Sequence, residues 1–462
     1  MSRREALSKL PKVDRVLGAA VLAGHPVLRT IQRQKVQEAL AELRAQLLGG
    51  EKGEPAASIE VPTAEALAST IARGLDALIE PHPKRALNAT GVVLHTNLGR
   101  APMSGEVTEA LVAAAGACDL EIELATGLRG SRYTRLRPLL AAVVGAEDVH
   151  VVGNGAAALL LACTALGSPG GVALSRGQMI EIGDGFRVAE MAAAGGAAIW
   201  AVGSTNRTHA EDYRRALAGE LPGMSGPASA ILWAHLSNFR QEGFVAEVEL
   251  EVLAKLAAEH GVPLIADLGS GSLGAGIPGD EPTIAEYLDA GVDVVTCSGD
   301  KLFGGPQAGI LAGRAATIGC LRGHPMARAL RPGKLTVAGL QATAAAHARG
   351  DAARSLGLYR LLAATPEMLR ARARRLAEAL AWPEAALRAT VATIGGGSLP
   401  GATIEGVALA VPGGSASRRA AILRRLDPPI IGRIVDGELL IDLRSLPAED
   451  DAALLAGLRS LT

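Results

Sequence analysis

The stretch TCSGDKLFGGPQAGI (296–310) sets Lys301 after an apolar run and before Gly304-Gly305, where a strand breaks into a turn. Asp267 ends an earlier run, VPLIAD, 34 residues before it. A partly desolvated lysine amine loses its charge readily and can form an imine with an aldehyde. A carboxylate opposite a pyridine nitrogen keeps that ring protonated and able to accept electrons. An acid and a lysine across one small ring are what pyridoxal phosphate requires. A plain salt bridge is the simpler alternative.

That cofactor also needs a seat for its phosphate. VVGNGAAALLL (151–161) supplies a turn, Gly153-Asn154-Gly155-Ala156, between a strand and a helix. Backbone N–H groups and the positive helix end attract an anion there. Ser298 could add a hydroxyl, although serine at a strand end is as often a local cap. The same turn loosely matches a dinucleotide fingerprint, but no strand-end acid follows at the usual ~20 residues. Arg100 in LHTNLGRAP, with Arg328 and Arg331 in HPMARALRPGK, forms a second set that could grip a phosphate-like anion. The alternative for Arg328 and Arg331, three apart, is a solvated helix face.

Between residues 86 and 320 short β-rich runs alternate with alanine-rich helical runs: DVHVVG then AAALLLACTAL, LEVLAKLAAEHG then VPLIADLG, TIAEYLDAG then VDVVTCSG. That alternation predicts a parallel sheet covered on both faces, an α/β fold. Ligands sit outside the carboxyl ends of such strands. Asn154, Ser237, Asn238, Asp267 and Lys301 all fall there. A right-handed crossover puts Asp267 and Lys301 at one edge of neighbouring strands. Beyond about residue 340 the pattern becomes a helix (MLRARARRLAEALA) and short alternating strands, with Asp436-Gly437 as a hairpin signal. This predicts a smaller α+β domain.

At the other end, VLRTIQRQKVQEALAELRAQLL repeats Leu28, Ile31, Val36, Leu40, Leu43 and Leu47 at helical spacing. Residues 1–48 hold nine Lys/Arg and four acids, so this helical part could meet an anion although the whole chain carries a net charge of −1. GGEKGEPAASIEVP (49–62) reads as a linker. The chain of 462 residues divides on this reading into a basic helical domain (1–50), a linker and connecting helix (51–85), a large domain (86–340) and a small one (341–462). Four scattered cysteines fit neither a disulfide pattern nor zinc and suit a reducing cytosol. Neither a signal peptide nor a membrane span is expected, and the cytoplasm is the expected compartment.

RALNATGVVLHTNLGRAP, VVGNGAAALLL, SRGQMIEIGDGFRVAEM, HLSNFRQEGF, IADLGSGSL, CSGDKLFGGPQAGI and HPMARALRPGKLT together resemble the bacterial selenocysteine synthase family, the L-seryl-tRNA(Sec) selenium transferases. The amino-terminal LSKLPKVDRVL is similar to the family's opening segment. The resemblance implies a fold-type-I pyridoxal-phosphate transferase with a mostly parallel seven-stranded sheet. It implies that serine on its tRNA loses hydroxide to leave a dehydroalanyl-tRNA, which then takes selenium from selenophosphate. By the same carry-over Lys301 holds the cofactor, Asp267 faces the pyridine nitrogen and Asp300 is an essential acid. The turn 153–156, Ser298 and Asn238 line the cofactor site, and Arg100, Arg328 and Arg331 bind selenophosphate. The basic domain clasps tRNA by shape and backbone contacts. The resemblance further implies a ring of dimers, a decameric homo-oligomer, with no membrane or DNA partner.

Two rivals stand beside it. A pyridoxal-dependent ammonia-lyase for a small amino acid would keep Lys301 and Asp267 but needs no basic amino-terminal domain. A non-catalytic RNA-binding scaffold needs none of Asp267, Asp300 and Lys301. The residue stacked on the cofactor ring stays open, with Gln178 or a neighbour in SRGQMIEIG in a suitable loop. So does the acid that assists the leaving hydroxide, Asp300 or Lys301. His95 reads as a satisfied loop histidine.

Overall fold

A computed structural model describes residues 3–49, 61–182, 185–237, 241–395, 397–399 and 401–461. The chain separates into two units, residues 1–85 and 86–462. Most of the expected linker, residues 50–60, lies outside the described residues. No described helix is long and apolar enough to cross a membrane.

In the first unit the long helix Arg29–Gly49 and the helix Ala64–Ile79 share a core with the short helices Val13–Leu17 and Ala20–Ala23. Val36, Leu40, Leu67, Ile71 and Leu75 fill it together with Val16, Leu17 and Leu22. The helix expected to connect domains thus completes the amino-terminal core. Leu28 departs from the expected apolar stripe and is 70% exposed, because it precedes the first helical residue and is not carried to the buried face. Arg29 also departs from the expected anion-facing set: its guanidinium donates to the Leu17 carbonyl at 2.7 Å and ties two helices together. Arg33 faces Asp14 and Lys35 faces Glu38. Lys9, Lys12, Arg15 and Arg44 are exposed and have no carboxylate partner among the described residues.

The second unit contains a seven-stranded sheet in the spatial order Asp148–Val152, Gly309–Gly313, Val294–Ser298, Leu264–Gly269, Ala230–Ala234, Val172–Ser175, Ile199–Val202. Only Gly309–Gly313 runs antiparallel to its neighbours. Every residue of Val294–Ser298 is buried, as a strand covered on both faces requires. One face packs on the cluster containing Leu140, Ile231, Leu264 and Leu340, the other on Leu159, Leu174, Leu232 and Ile318. Leu264–Gly269 and Val294–Ser298 are parallel neighbours with Asp267 opposite Thr296, and an irregularity between Asp267 and Gly269 ends their regular pairing.

A five-stranded sheet closes the unit, in the order Leu87–Ala89, Ile430–Val435, Glu438–Asp442, Thr403–Ala410, Leu387–Thr393. The hairpin expected at Asp436-Gly437 forms with φ of +50° and +79°, the left-handed pair that a tight two-residue turn needs. Leu87–Ala89 differs from expectation. It follows the amino-terminal unit directly yet pairs with Ile430–Gly432, so the start of the expected large domain lends a strand to the smaller sheet. From there Val92 bridges to Thr393, and the Leu94 N–H donates to the Ile394 carbonyl at 2.7 Å.

Candidate active site

Two strand ends place the acid and the amine. Lys301 lies three residues past Val294–Ser298, in a turn fixed by the Gly299 N–H to Ala308 carbonyl bond (2.8 Å) and by Leu302 N–H donating to Ser270 (2.9 Å). Its side chain points inward, 7% exposed, and its Nζ donates to the Gly397 carbonyl at 3.4 Å. Burial lowers its pKa, and Arg100 adds to the effect; Asp267, Asp300 and Glu281 oppose it. The amine is therefore easier to deprotonate than an ordinary lysine.

Asp267 accepts from the buried Thr296 hydroxyl at 2.7 Å through Oδ1. Burial raises its pKa, against the pull of Thr296 and Lys301. Among the described residues no ion pair joins Asp267 to Lys301, which sets aside the simple salt bridge. The two groups share one edge of the sheet.

Asp300 is 6% exposed and splits its carboxylate: Oδ2 accepts from Arg100 Nη1 at 2.9 Å, while Oδ1 has no partner among the described residues. Arg100 holds a left-handed backbone, φ +62°, a conformation that costs a non-glycine residue about 1–3 kcal/mol and persists where surroundings enforce it. Here the enforcing contacts are Arg100 N–H to the His95 carbonyl (3.1 Å) and Ala101 N–H to the Asp300 carbonyl (3.2 Å). His95 itself has a buried Nδ1 without a partner among the described residues, contrary to the expected satisfied loop histidine.

The glycine turn is reshaped by its neighbours. Gly153 N–H is taken by the Leu330 carbonyl at 2.9 Å, and the Asn154 side chain caps the helix Gly155–Leu166 by accepting from Ala157 N–H at 2.8 Å. The N–H groups of Gly155 and Ala156 begin that helix and have no intrahelical acceptor. A Cβ on Gly155 would stand 2.3 Å from Ser298 Oγ, so only glycine leaves this hydroxyl its place beside the helix end. Asn238 lies outside the described residues; Ser237 is buried near Gly397. Gln178 is buried, and its side-chain oxygen accepts from Ala234 N–H at 3.1 Å, directly across from Asp267 in the sheet.

The arginines divide. Arg328 lies on the short helix Pro325–Ala329, exposed and without a side-chain partner among the described residues. Arg331 falls beyond that helix, so the two do not share a helical face, and it sits 3.7 Å from Glu121. No contact joins either to Arg100 among the described residues.

Sequence reasoning missed two residues near Lys301. His235 follows the strand Ala230–Ala234, and Glu281 lies in a Gly/Pro-rich loop. His235 Nδ1 and Glu281 Oε1 are buried without hydrogen-bond partners among the described residues. A polar residue at a strand end was a visible signal for His235; nothing local marks Glu281.

Comparison with known proteins adds the following. The family model for L-seryl-tRNA selenium transferase matches residues 86–447. The L-seryl-tRNA(Sec) selenium transferase of Carboxydothermus hydrogenoformans is 39% identical over 463 residues, spanning 97% of this chain and 96% of the relative. That of Methylocella silvestris is 42% identical over 472 residues, spanning 98% and 97%. Among solved structures, a D-glucosaminate-6-phosphate ammonia-lyase superposes with a TM-score of 0.57 at 22% identity, over 84% of this chain and 97% of that one, a likeness of fold.

Proposed function

The chain belongs to the L-seryl-tRNA selenium transferase family and converts seryl-tRNA(Sec) to selenocysteinyl-tRNA(Sec), and from that premise we propose that Lys301 and Asp267 hold pyridoxal phosphate between them. The observation that carries this reading is a buried amine with a lowered pKa sharing a sheet edge with a half-buried carboxylate to which, among the described residues, it is not paired. The cradle at Gly155, which a Cβ would fill, suits a phosphate received by the Gly155 and Ala156 N–H groups and Ser298. Pyridoxal phosphate bound there supplies an electron sink for the charge left when the seryl α-carbon loses its proton.

Lys301 Nζ, once neutral, takes that α-proton as general base. Having gained it, Lys301 carries the proton that the leaving seryl hydroxyl needs. Asp300 is engaged by Arg100 through Oδ2, and we assign it to holding that guanidinium rather than to protonating the leaving group. Arg100, Arg328 and Arg331 bind selenophosphate, the selenium donor, and the protein works as a homo-oligomer in the cytoplasm. The rival amino-acid lyase shares the fold, but the relatives that match nearly the whole chain are transferases acting on seryl-tRNA.

The test is to supply seryl-tRNA(Sec) and selenophosphate and to measure selenocysteinyl-tRNA, with free serine as control. Turnover of free serine with seryl-tRNA untouched would overturn the reading. Within the same assay, Arg328→Ala and Arg331→Ala are each expected to lower kcat/KM for selenophosphate at least ~10-fold, the loss of one charge-assisted contact. Their affinity for seryl-tRNA should stay unchanged. Gly155→Ala should fold normally yet retain pyridoxal phosphate about 10-fold more weakly, because Ser298 must move off the helix end; equilibrium dialysis against the cofactor checks this.

A further inference from the structure

The cavity next to the proposed cofactor site has an unexpected charge for an enzyme that handles a polyanion and a phosphate-like donor. It encloses about 680 Å³, and its lining includes Glu242, Glu247, Asp280, Glu281 and His235 but neither lysine nor arginine among the described residues. The adjoining hollow, which shares His235 and Glu281, adds Glu249, Glu251 and Glu286. Crowding shows at Glu247, whose pKa is raised by burial and by Glu249.

Glu281 differs from the other acids. It is 8% exposed, and its Oε1 has no hydrogen-bond partner among the described residues. Leaving a buried carboxylate oxygen unpaired is costly, so the site calls for a donor. His235 presents a second unpartnered atom, Nδ1, with its ring stacked on Trp233 at 6.0 Å between centroids. Burial lowers the imidazole's pKa, with Glu281 opposing the shift and Lys301 adding to it. Glu281 acts in the same way on Lys301, so the three groups feel one another's charge.

Phosphate would be repelled here, and an apolar group would leave Glu281 unsatisfied. A primary ammonium meets both demands. The substrate has one, the α-ammonium of the seryl ester, with an ordinary pKa of about 8. At neutral pH it is mostly protonated, yet it must offer a lone pair to displace Lys301. We propose that Glu281 receives the seryl ammonium and that His235 Nδ1 takes its proton before the amine reaches the position of Lys301. One N–H bond breaks, its electron pair stays on the seryl nitrogen, and the proton forms an Nδ1–H bond. The imidazolium so formed is balanced by Glu281 and gives its proton to solvent in the cavity. Besides the acids named above, Asp267 on the neighbouring strand and Tyr287 face this region, and Lys301 is the base that faces it. The inference rests on the reading that Lys301 holds the cofactor.

The test compares full-length holoenzyme and its Glu281→Gln variant, each reduced with borohydride so that Lys301 stays joined to its cofactor and cannot be displaced, for binding of seryl-tRNA(Sec) and of N-acetylseryl-tRNA(Sec), which lacks the charge. The wild type is expected to prefer the free amine at least ~10-fold. The variant should lose that preference while binding the acetylated tRNA as the wild type does. A variant that keeps the preference, or a wild type that shows none, overturns the proposal. Should Glu281→Gln fail to fold, His235→Gln decides: it should keep the preference but move the acid limb of kcat/KM for seryl-tRNA up by ~1 pH unit. An unmoved limb overturns the proposal. A wild type that makes no selenocysteinyl-tRNA at all would instead remove the reading beneath it.

Discussion

Replacing Lys301 by alanine is expected to give a folded, colourless protein with no measurable transferase activity. Among the described residues the native side chain makes one hydrogen bond, a long one to the Gly397 carbonyl, so its removal costs the fold little. The chemical cost is large. Alanine offers no amine for the cofactor aldehyde and no base for the α-proton, and losing the base alone is worth about 10²–10⁴ in rate. Lys301→Arg should be equally colourless, since a guanidinium does not give up its proton. The visible absorption of each purified protein, read against the wild type, checks the expectation. Colour retained in Lys301→Ala would remove the cofactor assignment.

Removing residues 1–85 is expected to weaken seryl-tRNA(Sec) binding by roughly 100-fold or more at moderate salt while leaving cofactor binding unchanged. Lys9, Lys12, Arg15 and Arg44 are exposed cations without carboxylate partners among the described residues, and four phosphate contacts would steepen the dependence of log K on log salt by about three to four. Titrating labelled tRNA into both proteins across a salt series measures the affinity and the slope together. Equal affinity and equal slope would reduce the unit to an assembly arm. The cut belongs at 85. A cut at residue 50 strips the helix Ala64–Ile79 of its partners and bares Leu67, Ile71 and Leu75 to water.

Where the sequence pattern and the packing agree, the fold could be read in advance. The alternation of apolar strands and alanine-rich helices announces the seven-stranded sheet, and Asp436-Gly437 announces its hairpin because few residue pairs tolerate two left-handed conformations. The positions of Asp267 and Lys301 follow from the handedness of one crossover. Other features depend on partners distant in sequence. Leu87–Ala89 is too short to show periodicity, and its place in the smaller sheet is decided by a strand 343 residues later. Gly153 has the sequence of an anion-binding glycine, but the Leu330 carbonyl claims its N–H. Glu281 looks like a loop acid on the surface until the fold buries it. Local chemistry identifies which groups can react; only the assembled chain shows which of them remain unsatisfied.

The segment from Leu87 to Ala101 is anchored at one end in the five-stranded sheet and fastened at the other to the Asp300 carbonyl beside Lys301. It works as a tie rod. A tilt of the smaller sheet would pull on Arg100, whose backbone already occupies an unfavourable φ and whose side chain grips Asp300. The Arg100 guanidinium and the lysine turn would then shift in concert, so a remote load on the carboxy-terminal strands would reach Asp300 and Lys301 without any hinge of its own.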